Sequence, residues 1–165
     1  MAKVTWAGFP TRAGTQRSVN RLVRTQMAVV GQHWKDKMLP KHFQEQGKDE
    51  YGYEPRQAWY VEKKAKGYIV RGAHSNRGQH MAGHRYPLVY SGDSRRSALG
   101  PSVITATATR NKSTVTVPVL APTLNRQNRA SEVTAVSAAE YKTLQRIFQE
   151  NMKRTARQYS DLFAS

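Results

Sequence analysis

His74, His80 and His84, with Asn76 among them, form the one cluster in this 165-residue chain whose side chains suit bond-making chemistry. Two chemistries are open to it. Imidazole nitrogens hold metal ions, and His80 and His84 would share a face if the segment were helical. A His–Asn–His set can also build a nuclease finger around a metal-bound nucleophile. Gly78 and Gly83 weaken the helix that the first needs, and the second needs a strand–strand–helix frame that the neighbouring residues do not offer. The competing reading is a solvated basic loop. Ser91, in Ser91-Gly92-Asp93-Ser94, lacks the strand–nucleophile–helix elbow that would activate it. The adjacent acids Asp49 and Glu50 lie in a polar stretch, and no glycine-rich phosphate cradle follows a strand. With 0 Cys, thiol catalysis, Cys-ligated zinc and iron–sulfur clusters are excluded. The expectation is a protein that is not an enzyme and needs no cofactor.

Charge is the stronger signal. The chain has 27 Lys and Arg against 11 Asp and Glu, a formal net charge of +16, which attracts polyanions: nucleic acid, an acidic protein face or an anionic surface. The excess is densest from Lys63 to Arg96, where Lys63, Lys64, Lys66, Arg71, Arg77, Arg85, Arg95 and Arg96 face Asp93 alone. These are the candidate anion or partner contacts. Trp59, Tyr60, Tyr68, Tyr86 and Tyr90 are interleaved with them and would suit base stacking. Fewer than one residue in five is Leu, Ile, Val or Phe, however, so these aromatics are expected inside a thin core.

The length suits a single domain over residues 1–165. The longest uncharged stretches, Ser97–Thr109 and Ser113–Asn125, are 13 residues each, short of the ~18–20 apolar residues of a membrane span. The first residues also lack the apolar core of a signal peptide. A soluble, unsecreted protein without a membrane partner is expected.

The elements that would position these residues follow from periodicity. Residues 1–15 show no apolar period and read as an arm anchored by Trp6 and Phe9. Val19, Leu22, Val23, Met27, Val30, Trp34 and Met38 recur at three and four, predicting a helix over about 18–39 that starts at Ser18 and stops before Pro40. Lys41 to Tyr53 is polar, with Phe43 as its apolar peg. Pro55 precedes a short helix over 56–64, with Gly67 as its stop. Residues 68–70 suit a short strand, 71–85 a basic mobile loop, and 86–90 an extended run. Alternation over about 102–119, across Arg110-Asn111-Lys112, predicts an antiparallel hairpin whose second strand ends at Pro118 or lies at an edge. Residues 121–131 form a long loop. Ser137 and Glu140 then make a capping box for a helix over about 138–162, with Tyr141, Leu144, Ile147 or Phe148, Met152, Tyr159 and Leu162 as its apolar stripe. That helix is longer than so thin a core covers, and part of it is expected against a neighbouring subunit. The fold class is α+β: a small antiparallel sheet on two long helices, with extended arms and loops.

Two runs carry a family likeness. Tyr51-Gly52-Tyr53-Glu54-Pro55-Arg56, with Tyr60 and a Lys-rich stretch after it, precedes Pro87-Leu88-Val89-Tyr90-Ser91-Gly92, Arg95 and Ser97. Together with Glu132–Ser137 leading into Glu140 and the last helix, these runs resemble minor virion proteins of tailed bacteriophages, those of the neck, head–tail joining and tail completion. The resemblance spans roughly residues 18–160. Two departures stand out: Ser94 replaces a frequent large aliphatic, and the aromatic-Ala plus acidic segment after the hairpin is absent. The resemblance implies a homo-oligomeric ring at the head–tail interface of a virion made in the host bacterial cytoplasm. Its partners would be other neck, portal or tail proteins, and the DNA passing through. The alternative, from charge alone, is a free-standing basic nucleic-acid-binding protein.

Overall fold

A strand needs a partner before it needs a pattern of its own, and the beginning of this chain shows it. In a computed structural model, which describes residues 1–7, 13–66, 69–70, 79–80, 93–120 and 130–163, β1 (Ala2–Ala7) is an edge strand rather than part of an arm. It lies antiparallel to β5 (Lys112–Val117), with Ala2 opposite Val117 and Val4 opposite Val115. β4 (Thr105–Ala108) flanks β5 on the other side, giving the order β1-β5-β4. The expected hairpin is therefore present. Its turn is closed by Thr109, whose N–H donates to the Lys112 carbonyl oxygen at 2.8 Å and whose Oγ1 accepts the Lys112 N–H at 3.2 Å. β5 stops at Val117, before Pro118, and is the central strand.

The chain forms two compact units, residues 1–38, 101–118 and 136–165 in the first, and 39–100 with 119–135 in the second. In the first, one sheet face packs on α1 (Ala13–His33), which begins five residues before Ser18. Gln16 Nε2 donates to Asn20 Oδ1 at 2.8 Å, an (i, i+4) bond that supports the added turn. α1 runs on through one wide π turn, Trp34–Met38. Val23, Met27, Val30, Trp34 and Met38 are buried, along with Val115 and Val117 of the sheet. Gly31 sits where helix and sheet come closest: a Cβ there would lie 2.6 Å from Val115 Cγ2 and 3.0 Å from Ile104 Cγ2.

The last helix, α6 (Ala138–Phe163), starts as its capping box requires. The Ser137 N–H donates to Glu140 Oε2 and the Glu140 N–H to Ser137 Oγ, both at 3.2 Å. Because the Glu140 carboxylate turns back onto the helix start, Glu140 is buried and the inward stripe runs through Leu144 and Phe148. Tyr141, expected in that stripe, is exposed instead. Ile147 and Met152 are half-buried, and the side chains of Tyr159 and Leu162 lie outside the described residues. From Asn151 to Arg157 no side chain is fully buried, although Gln26 Nε2 of α1 still reaches Thr155 Oγ1 at 3.5 Å.

The second unit contains a 3-10 turn, Leu39–Phe43, and the helices α2 (Gly47–Tyr51), α3 (Ala58–Lys66), α4 (Asp93–Leu99) and α5 (Ala130–Thr134). β2 (Ile69–Val70) pairs antiparallel with β3 (Gln79–His80). α3 starts three residues after Pro55 and ends at Lys66, before Gly67. α5 occupies the end of the expected 121–131 loop, whose residues 121–129 lie outside the described residues, as do 86–90.

Gly31→Ala tests the helix–sheet contact. Alanine alone would strengthen a helix by up to ~1 kcal/mol, whereas overpacking costs about 1–3 kcal/mol. A net loss of about 1–2 kcal/mol in urea unfolding is expected, and a gain would contradict the close approach.

Candidate functional site

The Tyr51–Arg56 run begins where α2 must stop. Gly52 takes the left-handed conformation, φ 60° and ψ 43°, which costs a side-chain-bearing residue about 1 kcal/mol or more. The Tyr53 N–H then donates to the Lys48 carbonyl oxygen at 3.1 Å, closing the helix end. This reversal folds Tyr51 and Tyr53 back over His42 of the 3-10 turn. The His42 ring stacks on Tyr51 with centroids 3.7 Å apart and planes 16° from parallel, and Tyr51 stacks in turn near Tyr53 at 5.8 Å.

His42 is fully buried. Its Nδ1 lies 2.7 Å from the Tyr53 hydroxyl and 3.1 Å from the Glu132 carbonyl oxygen. With Nδ1 bare, the Tyr53 hydroxyl donates to it. With Nδ1 carrying hydrogen, the ring donates to the Glu132 carbonyl, and the Tyr53 hydroxyl can turn to the His42 carbonyl oxygen at 3.5 Å. Burial lowers the imidazole pKa from 6.5 to about 4, an effect that the bond to the Glu132 backbone only partly offsets. The ring is therefore neutral at ordinary pH.

The Glu132 side chain, at the start of α5, completes the knot. Its carboxylate takes both ends of the Arg56 guanidinium, Nη2 to Oε2 at 2.5 Å and Nη1 to Oε1 at 3.2 Å, and accepts the Glu54 N–H at 3.3 Å. Arg56 Nη1 also donates to the Glu54 carbonyl at 2.7 Å. The fork-to-fork geometry is the strong form of an ion pair, and it is mostly shielded, with 22% and 10% of the two side chains exposed. Tyr51, Gly52, Tyr53 and Arg56 are thus tied through one turn to a helix that begins 74 residues further along. Pro55 stands between Glu54 and Arg56 in the same run.

The second run reaches the same turn through its arginine. α4 packs on the Leu39–Phe43 turn, as do α2 and α5, and buries Ala98. Arg95 of α4 lines an open recess with Phe43, Gln44, Glu45 and Gln46. Pro87, Leu88, Ser91 and Gly92 lie outside the described residues.

Of the basic candidates, Arg95 and Arg96 are exposed on α4 and Lys66 is exposed on α3. Lys63 and Lys64 belong to α3, with side chains outside the described residues. Arg71, Arg77 and Arg85 are outside them altogether. Trp59, expected in the core, is 61% exposed. It stands on the open side of α3, edge-on to Tyr60 at 5.9 Å, with its indole N–H on the Gln57 side chain. None of the described side chains of α3 is fully buried. Tyr68, Tyr86 and Tyr90 are not among the described residues.

His80 is in β3, opposite Ile69, rather than in a helix, so the helical spacing that would align it with His84 does not apply. His74, Asn76 and His84 lie outside the described residues. Among the described residues, no three His, Asp or Glu side chains gather to hold a metal ion. His42 escaped the sequence reading because nothing local marks it: it stands beside Phe43 in a polar stretch, and its burial comes from Tyr51, Tyr53 and Glu132. What this arrangement does chemically is lock three segments together.

No protein-family model matches the chain, and no curated protein or solved structure matches it either.

Two measurements probe the knot. Because the folded His42 pKa lies below its unfolded value, the unfolded chain binds more protons between pH 6.5 and 4, and stability falls as pH drops through that window. Wild-type protein is expected to lose up to about 3 kcal/mol from this group between pH 7 and pH 4. His42→Asn should flatten that slope, and equal slopes in the two proteins would contradict the assignment. Glu132→Ala strands the Arg56 guanidinium and should cost about 2–3 kcal/mol in the same unfolding experiment. A loss under about 0.5 kcal/mol would mean that the pair is solvated and idle.

Proposed function

We propose that this chain is a structural virion protein of a tailed phage, a subunit of a homo-oligomeric ring at the neck or head–tail interface that joins head to tail or completes the tail. The supporting observation is the convergence at the Leu39–Phe43 turn. The Tyr51–Arg56 run folds over this turn, and α4, which carries Arg95 of the second run, packs on the same turn, around a histidine that is fully buried. Residues combined in this way act as scaffold. α6 has the same character, since none of its side chains from Asn151 to Arg157 is fully buried and this flank is offered to neighbouring subunits.

The proposed partners are further copies of the chain, the portal, neck or tail proteins, and the passing DNA as a polyanion; no helix among the described residues is long and apolar enough to cross a membrane. The exposed pair Arg95 and Arg96 presents charge to such partners, while the net charge of +16 and, among the described residues, the exposed Trp59 indole and Lys66 on α3 favour the alternative, a free-standing nucleic-acid-binding protein.

Charge reversal at Arg77, Arg85, Arg95 and Arg96 separates the two. In a phage lacking its own copy of the gene, the variant is expected to give heads and tails that do not join, seen by negative-stain microscopy, and plaque yield down at least ~100-fold. Normal yield would contradict the virion role. Salt-sensitive DNA or RNA binding by a protein that ignores portal and tail components would favour the alternative.

A further inference from the structure

Among the described residues, the outer edge of β4 has no partner strand. The Thr109 N–H is bonded to Lys112 across the hairpin, and bonded and non-bonded pairs alternate along an antiparallel ladder. With Thr107 opposite Thr114 and Thr105 opposite Thr116, the backbone groups of Thr105, Thr107 and Thr109 point at β5. Those of Ile104, Ala106 and Ala108 point away from it. β4 is terminal in its sheet, and among the described residues no backbone segment pairs with those three.

Natural proteins guard such an edge with lysine, proline or a bulge. Here the stretch from Ser97 to Thr109 carries no charge, and its one proline, Pro101, lies ahead of the strand. Val103, just ahead of the strand, is 79% exposed. The opposite edge, β1, does carry a guard, the exposed Lys3.

We infer that β4 docks antiparallel on β4 of a second copy about a two-fold axis through Ala106, making one six-stranded sheet. Only a register centred there pairs all three outward-pointing residues with one another: Ile104 with Ala108 of the second copy, Ala106 with its own counterpart, and Ala108 with Ile104. Side chains match in that register. Ile104 meets the small Ala108 on the face that packs on α1. On the solvent face Thr105 stands opposite Thr107 twice over, a favourable cross-strand pair. Val103 comes opposite Thr109 and is covered. The chemistry favours a two-fold pair over head-to-tail addition, because an isologous contact uses each edge once and stops, whereas a head-to-tail contact that fails to close grows into fibres. The pairing does not rest on the ring reading and is measured on the purified chain alone.

The test is sedimentation of the full chain over a range of concentration, with wild type, Thr105→Lys/Thr107→Lys and Thr105→Glu/Thr107→Glu. Both threonines are exposed, so these changes leave the fold in place, as circular dichroism will check. Wild type should sediment as a dimer of the 18.7 kDa chain. Each double variant should raise the dissociation constant at least ~10-fold through like charges set opposite each other, and mixing the two variants should restore the dimer. Register is read by oxidation, since the chain has no cysteine of its own. Thr105→Cys mixed with Thr107→Cys should cross-link, because non-bonded antiparallel pairs hold Cα atoms about 4.5 Å apart, within disulfide reach; each variant alone should cross-link far less. A wild-type monomer overturns the inference. So does any oligomer that tolerates both lysines, and so does a cross-link pattern without the 105-to-107 preference.

Discussion

An imidazole taken out of water must find its bonds inside, and the second unit of this protein is arranged around that demand. Two tyrosines of the Tyr51–Arg56 run and a backbone carbonyl of α5 enclose His42. Burial costs the ring its charged form. In exchange, a flat polar group fills space that a chain so poor in aliphatic residues has little else to fill. The apolar lining is short: Leu39, Phe43, Tyr53, Ala98 and Val133 are the buried apolar residues described for this unit. The Arg56–Glu132 fork then holds the rim closed, with Gly52 supplying the one left-handed step that lets the tyrosines turn back.

This division of labour explains why the run from Tyr51 to Arg56 has its particular residue types. The two tyrosines supply stacking area and a hydroxyl, the glycine a backbone angle, and the arginine a planar fork that lysine could not reproduce. None of these roles is chemical in the catalytic sense. Of the basic side chains of the Lys63–Arg96 stretch, Lys66 on α3 and Arg95 and Arg96 on α4 are exposed among the described residues.

Local signals were legible wherever the interaction that fixes an element is itself local. The three-and-four spacing from Val19 to Met38 found α1, and Ser137 with Glu140 found the start of α6 to the residue. The alternation over 102–119 found the hairpin of β4 and β5, although it could not say that the face with Thr105 and Thr107 is the exposed one. What failed to show was set by distant partners. β1 is a strand because β5 lies beside it, more than a hundred residues away in sequence, and Ala2-Lys3-Val4-Thr5 alone is too short and too mixed to announce it. His42 and Glu132 are joined across 90 residues. Tyr141 was misplaced because the buried position beside it went to Glu140, a capping carboxylate that pure hydrophobic counting assigns to solvent. Trp59 was placed inside by scarcity of aliphatics, an argument about the whole chain that cannot say which aromatic stays out.

The central claim is that the Leu39–Phe43 turn, the Tyr51–Arg56 run and α5 are one cooperative lock. Native-state hydrogen exchange reads this directly, through amides whose bonds are known: Gly47 on Gln44, Tyr53 on Lys48 and Glu54 on the Glu132 carboxylate. If the lock is one unit, these amides open together, with a common free energy that drops by the same amount in all of them when Arg56 is replaced by alanine. If Glu54 exchanges as a free amide while Gly47 and Tyr53 stay protected and unmoved by Arg56→Ala, the knot is a set of independent contacts and the account is wrong.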